Sequence, residues 1–186
     1  MGDEPTGGLA VCSGNPNHAM YLNVHNELST QAREHVGAML NQALADEFAL
    51  SAATRDYHWN VTGPQFHSLH QLFDEQYHEI DGWIEKLGER ARVIGVVAQT
   101  SWTELISAPR FTPMRGADLS ARSMLAALSA LHDRMSATLR REANECAKEH
   151  GDSVTAELLN ELSEYHESTC WLLGELLQDR ERAQAS

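Results

Sequence analysis

Residues 58–90 read HWNVTGPQFHSLHQLFDEQYHEIDGWIEKLGER. Gly63-Pro64 breaks the chain between two helical stretches. Pro64 suits the first position of the second stretch. The spacing predicts a helix from about Gln65 to Ile94 that stops at Gly95. Successive residues on such a helix turn by about 100°. Phe66, Leu69, Phe73, Tyr77, Ile80, Ile84 and Leu87 then share one side, the predicted core face. Glu75, Glu79, Lys86 and Arg90 lie opposite and read as solvated. A third set falls within about 60° of Asp74: His67, His70, Asp74, His78, Asp81, Glu85 and Glu89.

Every member of that third set can ligate a metal ion. An ordinary solvated face would mix in Lys, Arg, Gln and Ser, whereas this one is carboxylate and imidazole throughout. Like charges one turn apart cost about 0.2–0.5 kcal/mol per pair, so a cation is expected to offset them. An acidic stripe without a ligand is the plain alternative. From His70 to Glu89 the helix rises about 28 Å, so the two cannot hold one ion within a single straight helix. Two copies packed antiparallel around a two-fold axis can. Inversion about the point between Glu79 and Ile80 sets His70 opposite a second copy's Glu89, Asp74 opposite its Glu85, and His78 opposite its Asp81. Such an interface uses one patch twice and creates two equivalent sites about 20 Å apart. His58, just before the break, is free to fold back onto one of them. An intra-bundle di-iron site would need Glu-x-x-His on two helices. Only Glu75 and His78 have that spacing, and Glu75 lies off the stripe.

Working outward, a first helix is predicted from Ser29 or Thr30 to about Asn60, with Val36, Leu40, Ala43, Leu44, Phe48 and Ser51 recurring at spacings of three and four. Residues 95–118 form a long connection in which Ser101–Leu105 can make a short helix. A third long helix runs from about Ser120 to His150, ended by Gly151. A fourth starts at Asp152 or Ser153 and runs to about Glu181. Four long helices with short, long and short links give the expected fold class. It is all-α, a ferritin-like four-helix bundle with a long central crossover containing a short helix. Residues 28–186 form that bundle, and residues 1–27, rich in turn signals, read as a flexible N-terminal extension.

The chain has 186 residues, enough for one domain with a core. Its formal net charge is −13, and its only lysines are Lys86 and Lys148. An acidic chain attracts cations and repels phosphate, the opposite of a nucleic-acid binder. No run is apolar enough to span a bilayer. The N-terminal stretch has no Lys or Arg, so no basic signal-peptide region is present and a cytoplasmic location is expected. Cys12, Cys146 and Cys170 form no CxxC pair and read as unpaired thiols in a reducing compartment.

His58-Trp59-Asn60-Val61-Thr62-Gly63-Pro64-Gln65-Phe66, followed by His70, Leu72-Phe73-Asp74 and Glu89-Arg90 before Ile94-Gly95, closely resembles the Dps family of mini-ferritins. Leu44-Ala45-Asp46-Glu47 resembles its first helix; His166-Glu167 and Trp171-Leu172-Leu173 resemble its last. The likeness covers residues 28–180 or so. It implies a hollow dodecamer built from two-fold dimers that oxidises Fe(II), preferentially with hydrogen peroxide and more slowly with dioxygen, and stores a ferric mineral. It also implies a di-iron site at the two-fold interface, with ligands matching His58, His70 and Asp74 of one chain and Glu89 of the other. Where the family usually has Asp, this sequence has Glu85, which keeps the ligand type with an added methylene. His78, one turn past Asp74, is a further candidate ligand beyond the family's usual set, and the additional imidazole favours borderline ions such as zinc. His67 and His166 read as non-ligating. Trp59 is expected to pack at the interface, and the resemblance adds that it could intercept oxidising equivalents. Asp152 and Glu157 are candidates for an acidic iron-entry pore. Some relatives bind DNA through a lysine-rich tail, and the tail here, without basic residues, predicts no direct DNA binding.

Overall fold

The computed structural model describes residues 27–99, 101–111 and 120–184. Among these, the helices are α1 (Thr30–Asn60), α2 (Phe66–Val93), α3 (Trp102–Ser107), α4 (Ala121–Lys148) and α5 (Ser153–Gln184), and there is no strand. The expected N-terminal extension lies, apart from Glu27, outside the described residues. Ser29 caps α1 by accepting from the Ala32 amide at 3.1 Å. Ser120 caps α4 in the same way through the Ser123 amide. Each cap satisfies an amide that the helix itself leaves unpaired. Gly95 ends α2 at φ 88°, a conformation glycine adopts without strain, and lets the Val96 amide bond back to the Ala91 carbonyl. Pro64 belongs to the turn before α2 rather than to its first position, and the Phe66 amide bonds the Gly63 carbonyl across that turn.

α1 and α2 form one antiparallel hairpin, α4 and α5 the other. Ser51 meets Asp81 and His58 meets His70 in the first; Ser129 meets Cys170 and Ser136 meets Ser163 in the second. The crossover is strapped onto α1. Asn41 donates to the Val97 carbonyl and accepts from the Gln99 amide, and Gln42 donates to the Ala108 carbonyl. A Cβ at Gly37 would lie 2.6 Å from Val96, so the helix presents glycine where the strap passes closest. Arg110 then pins the far end. Its backbone amide and guanidinium bond the buried Asp46 of α1, and it also pairs with Glu142 of α4.

The core face of α2 is rotated from the expected one. Leu69, Phe73, Gln76, Ile80, Trp83, Leu87 and Ala91 are its buried residues. Phe66 is 47% exposed, and Tyr77 and Ile84 are only partly buried. Spacings of four and three alternate from Leu69 to Leu87 in the observed set, which keeps one seam facing the neighbouring helices. Gln76 and Trp83 belong to it because α5 covers that border: the Tyr165 ring stands 6.1 Å from Trp83, and its hydroxyl donates to the Gln76 carbonyl. On α1, Val36, Leu40, Ala43, Leu44 and Ser51 are buried as expected, and Phe48 is half-buried.

Two further expectations are corrected. Arg90 is not on a solvated face: it donates to both oxygens of Asp152 and to the Thr155 hydroxyl. Asp152 is correspondingly not a pore residue. Its side chain is 2% exposed, paired with Arg90, and caps α5 through the Thr155 amide. An acidic residue at a helix start served the helix. Glu157 is exposed.

A polar chain crosses the bundle interior. Glu47 of α1 accepts from His166 of α5 at 2.9 Å, and the Nδ1 atoms of His166 and His132 of α4 face each other at 2.8 Å. All three are fully buried. His166 is thus structural, as expected. Burial, with His166 adding to it, holds His132 well below the usual histidine range. Protonation of His132 therefore favours the unfolded chain. Its contribution to stability is complete above the ordinary value of 6.5 and is lost progressively as the pH falls below it. Thermal midpoints measured from pH 7.5 down to about pH 5 should drop more steeply in the wild type than in His132→Gln; parallel curves would contradict this. Cys146 is buried and unpaired, its thiol pushed up to about 12 first by burial and then by Asp152, Glu142 and Glu145.

Candidate metal centre

The end of α1 and the start of α2 meet across the Gly63 turn, and that meeting builds the site. His58 Nδ1 lies 2.8 Å from the His70 carbonyl, and His70 Nδ1 lies 2.8 Å from the His58 carbonyl. A carbonyl only accepts, so both Nδ1 atoms carry hydrogen and both Nε2 atoms keep their lone pairs for a ligand. The rings stack with centroids 3.8 Å apart. His58 Nε2 stands 3.8 Å from Asp74 Oδ1. His58 thus stands between the stacked His70 ring and the Asp74 carboxylate, with both ring orientations set by reciprocal backbone bonds of the kind that hold metal-binding histidines.

Asp74 is half-exposed and already has a neighbour on each oxygen. The Tyr77 hydroxyl donates to Oδ1 at 2.7 Å. His78 Nδ1 bonds the Asp74 carbonyl at 2.8 Å and lies 3.7 Å from Oδ2. The Tyr77 hydrogen bond, with the electrostatic pull of the neighbouring His78, His58 and His70 rings adding to it, holds the Asp74 carboxyl below the usual range. Asp74 is therefore ionised and ready for a cation at neutral pH.

The rest of the stripe does not join this group. Asp81, a possible ligand by its position, accepts from Ser51 at 2.6 Å and pairs with Arg55 at 2.7 Å. Within one chain Asp81 is thus engaged by α1 and not by the His58–Asp74 group. Glu85 and Glu89 lie farther along α2, exposed, in a groove of about 640 Å³ whose walls include Leu44, Phe48, Ile84 and Val93. Among the described residues, no three His, Cys, Asp or Glu side chains of one chain are gathered closely enough to hold an ion. One chain thus presents a His58–His70–Asp74 cluster and, separately, two carboxylates in an apolar groove. His67 is exposed. Trp59, beside the cluster, is 69% exposed.

Sequence reasoning assigned Tyr77 to the core and passed over Arg55. The signal for Tyr77 was its position three residues after Asp74, which puts the two side chains side by side on a helix.

A ferritin-like domain profile matches residues 37–183. A low temperature-induced protein from Nostoc is 34% identical over 81% of this chain and 84% of its own length. Among solved structures, Dps from Thermosynechococcus elongatus superposes with a TM-score of 0.75 at 30% identity, covering 80% of this chain and 93% of that one. A Dps protein from Vibrio cholerae, described as a member of a broad superfamily of ferritin-like diiron-carboxylate proteins, superposes with a TM-score of 0.74 at 27% identity over 81% of this chain and 93% of its own.

Proposed function

This chain belongs to the ferritin-like family and, within it, to the Dps proteins, and from that premise we propose that it is a ferroxidase and iron-storage protein whose metal site is shared between two chains. The observation that carries this is the His58–His70 pair, with both Nε2 lone pairs free beside the ionised Asp74. Glu85 and Glu89, out of reach on the same helix, supply the remaining carboxylates from a second copy related by a two-fold axis. The groove around them is closed by that copy. The Vibrio relative's description as diiron-carboxylate supports iron as the metal. The assembly is a dodecamer of such dimers with a hollow interior, and no direct DNA binding is expected of a tail without lysine or arginine.

Fe(II) is the substrate. Imidazole and carboxylate together bind it while leaving positions open for an oxidant. Two ferrous ions give up one electron each. Hydrogen peroxide accepts both as its O–O bond breaks, and the ferric ions leave with its oxygens and those of water as oxyhydroxide, releasing protons. Carboxylates favour the more highly charged ferric product, so the ligand set assists the direction of electron flow. Consuming iron and peroxide together suppresses hydroxyl-radical formation.

A second reading is favoured by His78, whose ring lies against the other oxygen of Asp74. A third imidazole draws the site toward zinc, and the protein would then chiefly sequester a divalent metal. Stopped-flow absorbance after mixing with Fe(II) and peroxide separates the two. Oxidation much faster than in buffer is expected, and a rate equal to buffer would sink the ferroxidase reading. Metal analysis of the purified protein then distinguishes zinc storage from no binding.

A further inference from the structure

We propose that Tyr77 is the positioning residue of this metal site, and that Asp81 and Arg55 act through it rather than on the metal. The inference rests on the site reading above and assigns what holds its carboxylate in place. Asp74 projects from the surface of α2 with 43% of its side chain exposed. An exposed carboxylate with no partner samples several rotamers, and each ion bound must then bear the cost of ordering it. The Tyr77 hydroxyl removes that freedom by donating to Oδ1 at 2.7 Å. The same ring touches two other candidate ligands, standing edge-on to His58 at 5.5 Å between centroids and tilted against His78 at 4.3 Å. One phenol therefore registers His58, Asp74 and His78 against each other.

Tyr77 is itself held. The Arg55 guanidinium lies over its ring, 4.4 Å from the centroid. A cation there is attracted to the ring face. Arg55 is fixed by its 2.7 Å ion pair with Asp81, and Asp81 by the Ser51 hydroxyl at 2.6 Å. The sequence Ser51, Asp81, Arg55, Tyr77, Asp74 runs from the α1–α2 seam out to the metal-binding oxygen. It gives Asp81, a member of the acidic stripe, the task of anchoring a cation instead of binding an ion. Because Arg55 neutralises Asp81, the site's negative charge is concentrated on Asp74 and on the distant Glu85 and Glu89.

The test is titration of the whole assembled protein with Co(II), read by its ligand-field absorption, with thermal midpoint and particle size measured on the same samples. Tyr77→Phe keeps the ring, its contact with Arg55 and its packing, and removes only the hydroxyl. It should weaken Co(II) binding about tenfold, within the range for partners that orient metal ligands, and shift the absorption band, with midpoint and size unchanged. Should that variant fail to assemble, Asp81→Asn carries the test one step back. It should move the band the same way by a smaller amount, although Asp81 lies outside the ligand set. Wild-type affinity and an unmoved band in the assembled Tyr77→Phe protein, or an unmoved band in Asp81→Asn when Tyr77→Phe does not assemble, would overturn the proposal. A wild-type protein with no saturable Co(II) band would instead remove the metal site, and the role of Tyr77 with it.

Discussion

Replacing Asp74 with asparagine should lower the rate of peroxide-driven Fe(II) oxidation by at least about 100-fold, while the protein still folds and assembles. Loss of residues that merely orient a metal ligand costs about 10–100-fold in affinity or activity, and Asp74 is proposed as a ligand itself. It faces His58 through one oxygen and His78 through the other, so the amide loses the charge that both sides of the site share. Half of the amide is also an NH₂ group, which repels a cation. No fold contact depends on the charge: the neighbours of Asp74 are Tyr77, His58 and His78, all within the site. Particle size and thermal midpoint serve as controls. A rate within about threefold of wild type, in a protein of normal size, would remove Asp74 from the site.

Arg110→Ala should cost about 3 kcal/mol of stability at neutral pH, within the range for removing one partner of a buried ion pair. Arg110 is the shared partner of two carboxylates, Asp46 on α1 and Glu142 on α4, whose side chains are 1% and 13% exposed. Burial already raises the Asp46 carboxyl, and Arg110 opposes that rise. Burial raises Glu142 likewise, with Asp46 adding to it. Without the guanidinium, two buried charges face each other uncompensated. Groups whose pKa is raised in the folded state stabilise it when protonated, below the unfolded value, and that stabilisation is lost as the pH rises through the folded value. The deficit of Arg110→Ala should therefore be smaller near pH 4 than at pH 7. Urea midpoints at both values, at matched protein concentration, check this; an equal deficit at both would mean that Arg110 acts by packing alone. The guanidinium is 29% exposed, which keeps the expected loss at the low end.

Part of the candidate site's geometry was legible in the sequence. His70, Asp74 and His78 line up on α2 because helical periodicity is a local property: about 100° per residue sets which side chains share a face; His58 joins them from α1 across the Gly63 turn. The ion pairs were not legible. Asp81 and Arg90 carry charge and lie on accessible-looking faces, yet their partners, Arg55 in α1 and Asp152 at the cap of α5, come from other parts of the chain. His132 gave no signal at all, because its partner His166, which in turn bonds Glu47, is distant in the chain.

The sequence by itself determined the helices, their ends to within a few residues, the long crossover and the composition and length of the acidic stripe. Tertiary structure alone decided where the core face of α2 ends. Phe66 and Ile84 sit at its margin and Gln76 and Trp83 within it, because α5 covers one border of the helix and not the other. It also divided the stripe, setting His70 and Asp74 beside His58 of α1 and making Asp81 an anchor for Arg55. A residue's angle on a helix is set by its neighbours in sequence. What meets it there is set by chain many residues away, and only that meeting distinguishes a ligand from a salt bridge.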